Sequence, residues 1–122
     1  AHTLVIGANA PTGYSLTYTG AALTSGAKTI PGADINADAD GTIGTSQFAL
    51  AGTETGGGAM SADYDAATPN WDFVASTVTT IASASSATSS SSIAMEYLAN
   101  TSSAQAAGTY VTTLDYVATG NF

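Results

Sequence analysis

The sequence predicts an all-β chain: a single-domain antiparallel β-sandwich, Ig-like or jelly-roll-like, spanning residues 1–122. Three observations lead there. Apolar residues recur at every second position through much of the chain, the period of a strand with one buried face. No segment sustains a 3.6-residue period, although Ala is the commonest residue. Turn-forming clusters of Gly, Pro, Asn and Ser recur at short spacing, as in sandwiches of about eight short strands.

The elements follow in order. Residues 2–7 (HTLVIG) form the first predicted strand. After a turn at Pro11–Gly13, Tyr14, Leu16 and Tyr18 alternate with Ser15, Thr17 and Thr19 as a half-buried strand. Residues 22–30 fit a small hairpin closed at Ser25–Gly26. Residues 46–51 put Phe48 and Leu50 on one face, and residues 59–64 put Met60 and Tyr64 together. Trp71 and Phe73 share a face just after the turn at Thr68–Pro69–Asn70. Residues 77–82 are rich in β-branched Thr, Val and Ile. Residues 92–99 set Ile93, Met95 and Tyr97 against Glu96. Residues 109–118 give the clearest strand, with Tyr110, Leu114 and Tyr116 opposed to Val111, Thr113, Asp115 and Val117. The run Ser83–Ser92 is low in complexity; it fits a loop or a polar edge strand, with the loop favoured. Gly56–Gly58 marks a second flexible point.

Composition narrows the function. The chain holds 25 Ala, 20 Thr, 14 Ser and 13 Gly, so large apolar side chains are few. Ala supplies nearly half of the 44% hydrophobic fraction, and each Ala buries little area. The core is therefore expected to be thin, and contacts between copies would add to its stability. Nine carboxylates against one Lys give a net charge of −8. With a single cationic side chain of Lys or Arg type, phosphate-based nucleic-acid binding and attachment to anionic lipid are excluded. Without Cys there are no disulfides and no thiolate chemistry. No stretch is apolar enough for direct membrane insertion. Residues 1–10 lack the basic start and apolar run of a signal peptide, so an exported chain would be numbered here after processing.

The second half carries a connected pattern: SQFALAG at 46–52, YDAATPNWDFV at 64–74, TIAS at 80–83 and AGTYVTTLDYVATGNF at 107–122. With residues 2–30, this resembles a family of small secreted bacterial surface β-sandwich proteins. The most specific piece is the terminal G-T-Y-x-x-x-L-x-Y-x-A-T-x-x-F, from Gly108 to Phe122. The resemblance implies export and an extracellular or cell-surface location; it does not imply an enzymatic activity. It also implies a further strand ahead of Ala1. A sandwich short of one strand exposes an unpaired edge and a groove, which a neighbour's strand can fill as in donor-strand fibres and pili.

Asp34, Asn36, Asp38 and Asp40 form the sharpest local motif, a candidate calcium loop. Oxygen ligands alternate along the loop, and Gly41 permits a tight turn. With Asn36 first, Asp38, Asp40 and Gly41 take the third, fifth and sixth positions of an EF-hand loop, but Gln47 holds the twelfth in place of a bidentate Glu. A solvated acidic turn is the competing reading. Asp63, Asp65 and Asp72 form a second cluster, which fits loop carboxylates better than a hydrolytic pair. Tyr64 and Trp71 are candidates for a sugar-stacking platform, against the alternative that both anchor the core. The single His, His2, lacks a partner for a metal site or a triad. Asn100-Thr101-Ser102 is a glycosylation triplet. Lys28 is the sole candidate for a side-chain crosslink.

Together these features point to a non-enzymatic extracellular structural protein. Its copies would form a filament, pilus-like fibre or surface layer by strand exchange. The expected interface strands carry His2, Leu4 and Ile6 at one end of the chain and Tyr110, Leu114 and Tyr116 at the other. Calcium would offset the charge. The alternative is a secreted carbohydrate-binding or adhesive module.

Overall fold

The computed structural model describes residues 1–122 and is all-β, with one short 3₁₀ turn at Ala62–Tyr64. Nine strands form: β1 (His2–Ala8), β2 (Tyr14–Gly20), β3 (Leu23–Ser25), β4 (Lys28–Ile30), β5 (Gln47–Thr55), β6 (Ala59–Met60), β7 (Thr79–Ala84), β8 (Thr88–Asn100) and β9 (Leu114–Gly120). One antiparallel sheet has the order β1-β8-β5, and a second has the order β6-β7-β2-β9. The β3-β4 hairpin forms a small third sheet.

The two larger sheets pack through their inward side chains. Strand β2 shows the predicted alternation, with Tyr14, Leu16 and Tyr18 buried. They meet Leu50 on β5, Ile93 and Met95 on β8, and Ile81 on β7 in the main core. A smaller cluster of Ile35, Ala49, Ala51 and Trp71 lies on the other face of β5. Strand β5 is therefore covered on both faces, which explains six consecutive buried residues from Gln47 to Gly52. Gly52 leaves room for Met60, Ile93 and Met95, which crowd the space a β-carbon would take.

A polar chain ties the sheets at one end. Tyr14 Oη lies 2.6 Å from Ser91 Oγ, and Ser91 Oγ donates to Glu54 Oε1 at 2.6 Å. The same carboxylate accepts from the Gly57 and Gly58 amides at 3.1 and 3.0 Å. Desolvation alone would raise the Glu54 pKa, but these hydrogen bonds outweigh it and hold the carboxyl below its ordinary value. A lowered pKa adds stability above the unfolded-state value and loses it as pH falls through the folded-state value. In thermal melts, the gap between wild type and Glu54→Gln is expected to be positive at pH 7. It should close as pH falls below the usual carboxylate range.

Several expectations shift. The serine run is not a loop: β8 begins at Thr88 and is the central strand of its sheet, with only residues 85–87 turning. Serine is acceptable there because Ser91 faces the polar chain and its neighbours face outward. The last strand starts at Leu114, so Tyr110 lies outside it; the Tyr110 hydroxyl donates to Ala106 O at 2.8 Å. Residues 109–113 pair with the hairpin through a single bridge between Val111 and Thr24. Trp71 and Asp72 form isolated bridges to Ile35 and Leu50 rather than a strand of their own.

Candidate functional site

The long sides of the sandwich are closed to different degrees. On one side the edge strand is β5, and its outer backbone is already used. Phe48 N donates to Pro31 O at 2.9 Å, and Ala33 N donates to Phe48 O at 3.0 Å. Leu50 and Asp72 exchange amide–carbonyl bonds at 3.1 and 3.2 Å, and Ala66 N donates to Gly52 O at 3.0 Å. Segments 31–33 and 65–72 thus stand where another strand would pair.

On the opposite side the edges are β1 and β9. Strand β1 pairs only with β8, and β9 pairs only with β2. The sequence-predicted residues divide here. His2, Leu4 and Ile6 on β1 and Leu114 and Tyr116 on β9 all face inward toward the gap between these strands, while Tyr110 does not belong to the edge. Leu4, Leu114 and Tyr116 are only half-buried, because no strand covers them from outside.

An aromatic group spans one end of this gap. Tyr97 on β8 and Tyr116 on β9 place their hydroxyls 2.7 Å apart, joining the sheets. The His2 ring stacks on Tyr97 at 5.8 Å and meets Tyr116 edge-on at the same separation. Burial pushes the Tyr116 phenol up, and its hydrogen bond to Tyr97 adds to the rise; burial also raises Tyr97. At the other end, Ile6, Ala8, Tyr14, Ala118, Gly120 and Phe122 border an open cleft of about 220 Å³. Tyr97 is a site residue that the sequence reading misses, although its shared face with Ile93 and Met95 is visible there.

The edges also differ in protection. Natural edge strands carry charges, Pro or bulges that block unwanted pairing. Strand β1 has no acidic residue, Lys, Arg or Pro, and the extra residue in its ladder with β8 lies on β8. Strand β9 has one carboxylate, Asp115.

Carboxylates concentrate on the closed side instead. Asp34, Asp38, Asp40, Asp63, Asp65 and Asp72 belong to the segments along or beside the β5 edge. Asp34 Oδ1 accepts from Asn36 Nδ2 at 2.8 Å, and Asp38 Oδ1 accepts from the Asp40 amide at 3.0 Å. The oxygens of Asp34, Asn36, Asp38 and Asp40 are thus partly engaged within the loop, and no three His, Asp or Glu side chains converge as a metal cluster. Gln47 is buried against Gly41, and its Nε2 has no partner.

Asp65 Oδ1 accepts from the Ala67 amide at 3.0 Å, and Asp72 Oδ2 accepts from Tyr64 Oη at 3.0 Å. Burial raises the Asp72 pKa, and nearby Asp34 and Asp63 add to the rise against hydrogen bonds from Tyr64 and the Phe73 amide. A raised carboxylate pKa opposes folding while the group is ionised. Asp72→Asn is therefore expected to melt at or above wild type at pH 7, with the gap closing at acid pH.

The sugar platform is corrected. Tyr64 is 3% exposed and Trp71 is 8% exposed, so neither offers a face for a pyranose ring. Each is held by packing: Tyr64 meets Tyr18 edge-on at 5.8 Å, and Trp71 fills the smaller core. Asn100 Nδ2 donates to Asp40 O at 2.7 Å, so the nitrogen of the glycosylation triplet ties the acidic loop to β8. Lys28 is exposed on β4.

No protein family, curated protein or solved structure matches the chain. No helix is long and apolar enough to cross a membrane.

Proposed function

We propose that the chain is a non-enzymatic, extracellular structural subunit whose copies assemble into a fibre or surface layer by strand pairing. The observation that supports this reading is the contrast between the two sides of the sandwich. One edge is covered by the chain's own loops. The other presents two bare, nearly uncharged strands over half-buried apolar side chains. Main-chain groups on such an edge recognise another extended backbone, and the inward apolar positions supply the packing. The acidic composition favours solubility until the edges meet.

Calcium at Asp34, Asn36, Asp38 and Asp40 belongs to the same proposal, as a means of offsetting the charge of −8 per copy. Negative-stain electron microscopy of the purified chain tests assembly, with and without chelator. Regular fibres or sheets are expected, fewer and less heat-resistant in chelator. Dispersed single particles at every concentration would refute assembly. Assemblies indifferent to chelator would remove calcium from it.

A further inference from the structure

We infer that two copies join through the open side as a two-fold pair, β1 against β1 and β9 against β9. This rests on the reading that copies assemble at that side, and it names the partner surface as the same surface on a second copy.

The first support is alignment. His2 stands beside Tyr116, and Ala10 lies against Gly120. The two edge strands therefore run the same way in their respective sheets, with their midpoints close to level. One two-fold axis normal to both sheets can pass near both midpoints. It generates antiparallel β1–β1 and β9–β9 pairs together, so each sheet continues into its twin.

The second support is the residue at each midpoint. Val5 is the middle of the seven-residue β1, and Val117 is the middle of the seven-residue β9. Both are outward-facing and solvent-exposed, at 70% and 55%. Full overlap of each strand with its twin sets Val5 on Val5 and Val117 on Val117, as apolar cross-strand pairs.

The third support is fit. In that register Leu4 faces Ile6 of the second copy, and His2 faces Ala8. On β9, Leu114 faces Gly120 and Tyr116 faces Ala118, large against small. Asp115 falls opposite Thr119 rather than another acid. A chain of net charge −8 meets its copy on the side away from its six clustered aspartates. Within residues 1–122 every strand is already seated in a sheet. The outer backbone of β5 is covered, β6 spans two residues and β3 and β4 three each, so β1 and β9 are the longest uncovered edges that an intact second copy offers. An isologous contact of this kind closes at two copies, so in a fibre the pair is the repeating block.

Single-cysteine variants test the arrangement, in a chain with no cysteine of its own. Val5→Cys and Val117→Cys alter exposed positions, and circular dichroism checks that each remains folded. Under mild oxidation each is expected to form a disulfide with its own twin, and denaturing gels should show dimer. The double variant is expected to stop at dimer too. A ladder from the double variant, with no dimer from either single variant, would overturn the two-fold and leave assembly standing. Dimers by sedimentation without a crosslink in either single variant would also overturn it. Wild type that sediments as monomer at its highest soluble concentration would overturn both this pairing and assembly.

Discussion

Tyr18→Ala is expected to leave the chain unfolded or close to it at 25 °C. Tyr18 is fully buried at the centre of β2, between β7 and β9. Its ring stacks on Phe73 at 5.6 Å and meets Tyr64 edge-on at 5.8 Å. Its hydroxyl accepts from the Val74 amide at 2.8 Å and lies 3.3 Å from Tyr64 Oη. Removing a buried aromatic ring costs about 3–5 kcal/mol. Leaving the Val74 N–H without a partner adds about 1–3 kcal/mol. A domain of this size holds about 5–15 kcal/mol in total, and a core this poor in large side chains belongs at the lower end. Tyr18→Phe keeps the ring and loses only the hydroxyl, so about 1–3 kcal/mol is expected. Urea unfolding followed by tryptophan fluorescence measures both. A Tyr18→Ala midpoint close to wild type would contradict the role given to this residue.

The second large effect concerns association. Val5→Lys is expected to leave the fold of a single copy intact and to weaken the pairing of copies, taking with it only the stability that pairing adds. The side chain points outward and is mostly exposed, so a lysine is accommodated in a single copy. In the pair it faces its twin, and like charges in contact cost about 3 kcal/mol. That corresponds to about a 100-fold rise in Kd. Val5→Glu is expected to act in the same direction. Because Lys lowers the net negative charge and Glu raises it, agreement between them isolates the local contact from overall repulsion. Sedimentation equilibrium supplies the measurement. Unchanged association in both variants would place the junction elsewhere.

The sequence carries the fold class well because the dominant signal, period-2 alternation, is set by the pleat itself. The Tyr14–Leu16–Tyr18 pattern maps directly onto β2. The hairpin over 22–30 forms where Gly26 supplies a positive φ of 59°. Less legible is anything decided by partners distant in sequence. The serine-rich run over 83–92 has the composition of a loop, yet the stretch from Thr88 pairs with β1 on one side and β5 on the other. Tyr110 has the alternation of a strand but is held by Gln105 and Ala106 instead. Spacing does not distinguish Trp71 and Tyr64 from a surface platform, because their burial depends on loops that cross β5. An unpaired edge is part of what the sequence leads one to expect. That both terminal strands flank the same gap, with a valine at each midpoint, depends on sheet order and has no local signature.

Backbone amide hydrogen exchange across a concentration series, read strand by strand, examines the open side itself. If copies join there, amides of β1 and β9 that face outward gain protection as concentration rises, while those of β5 stay constant because segments 31–33 and 65–72 already cover them. Exchange in β1 and β9 that is independent of concentration, in a chain that nevertheless assembles, would show that these edges are not the junction.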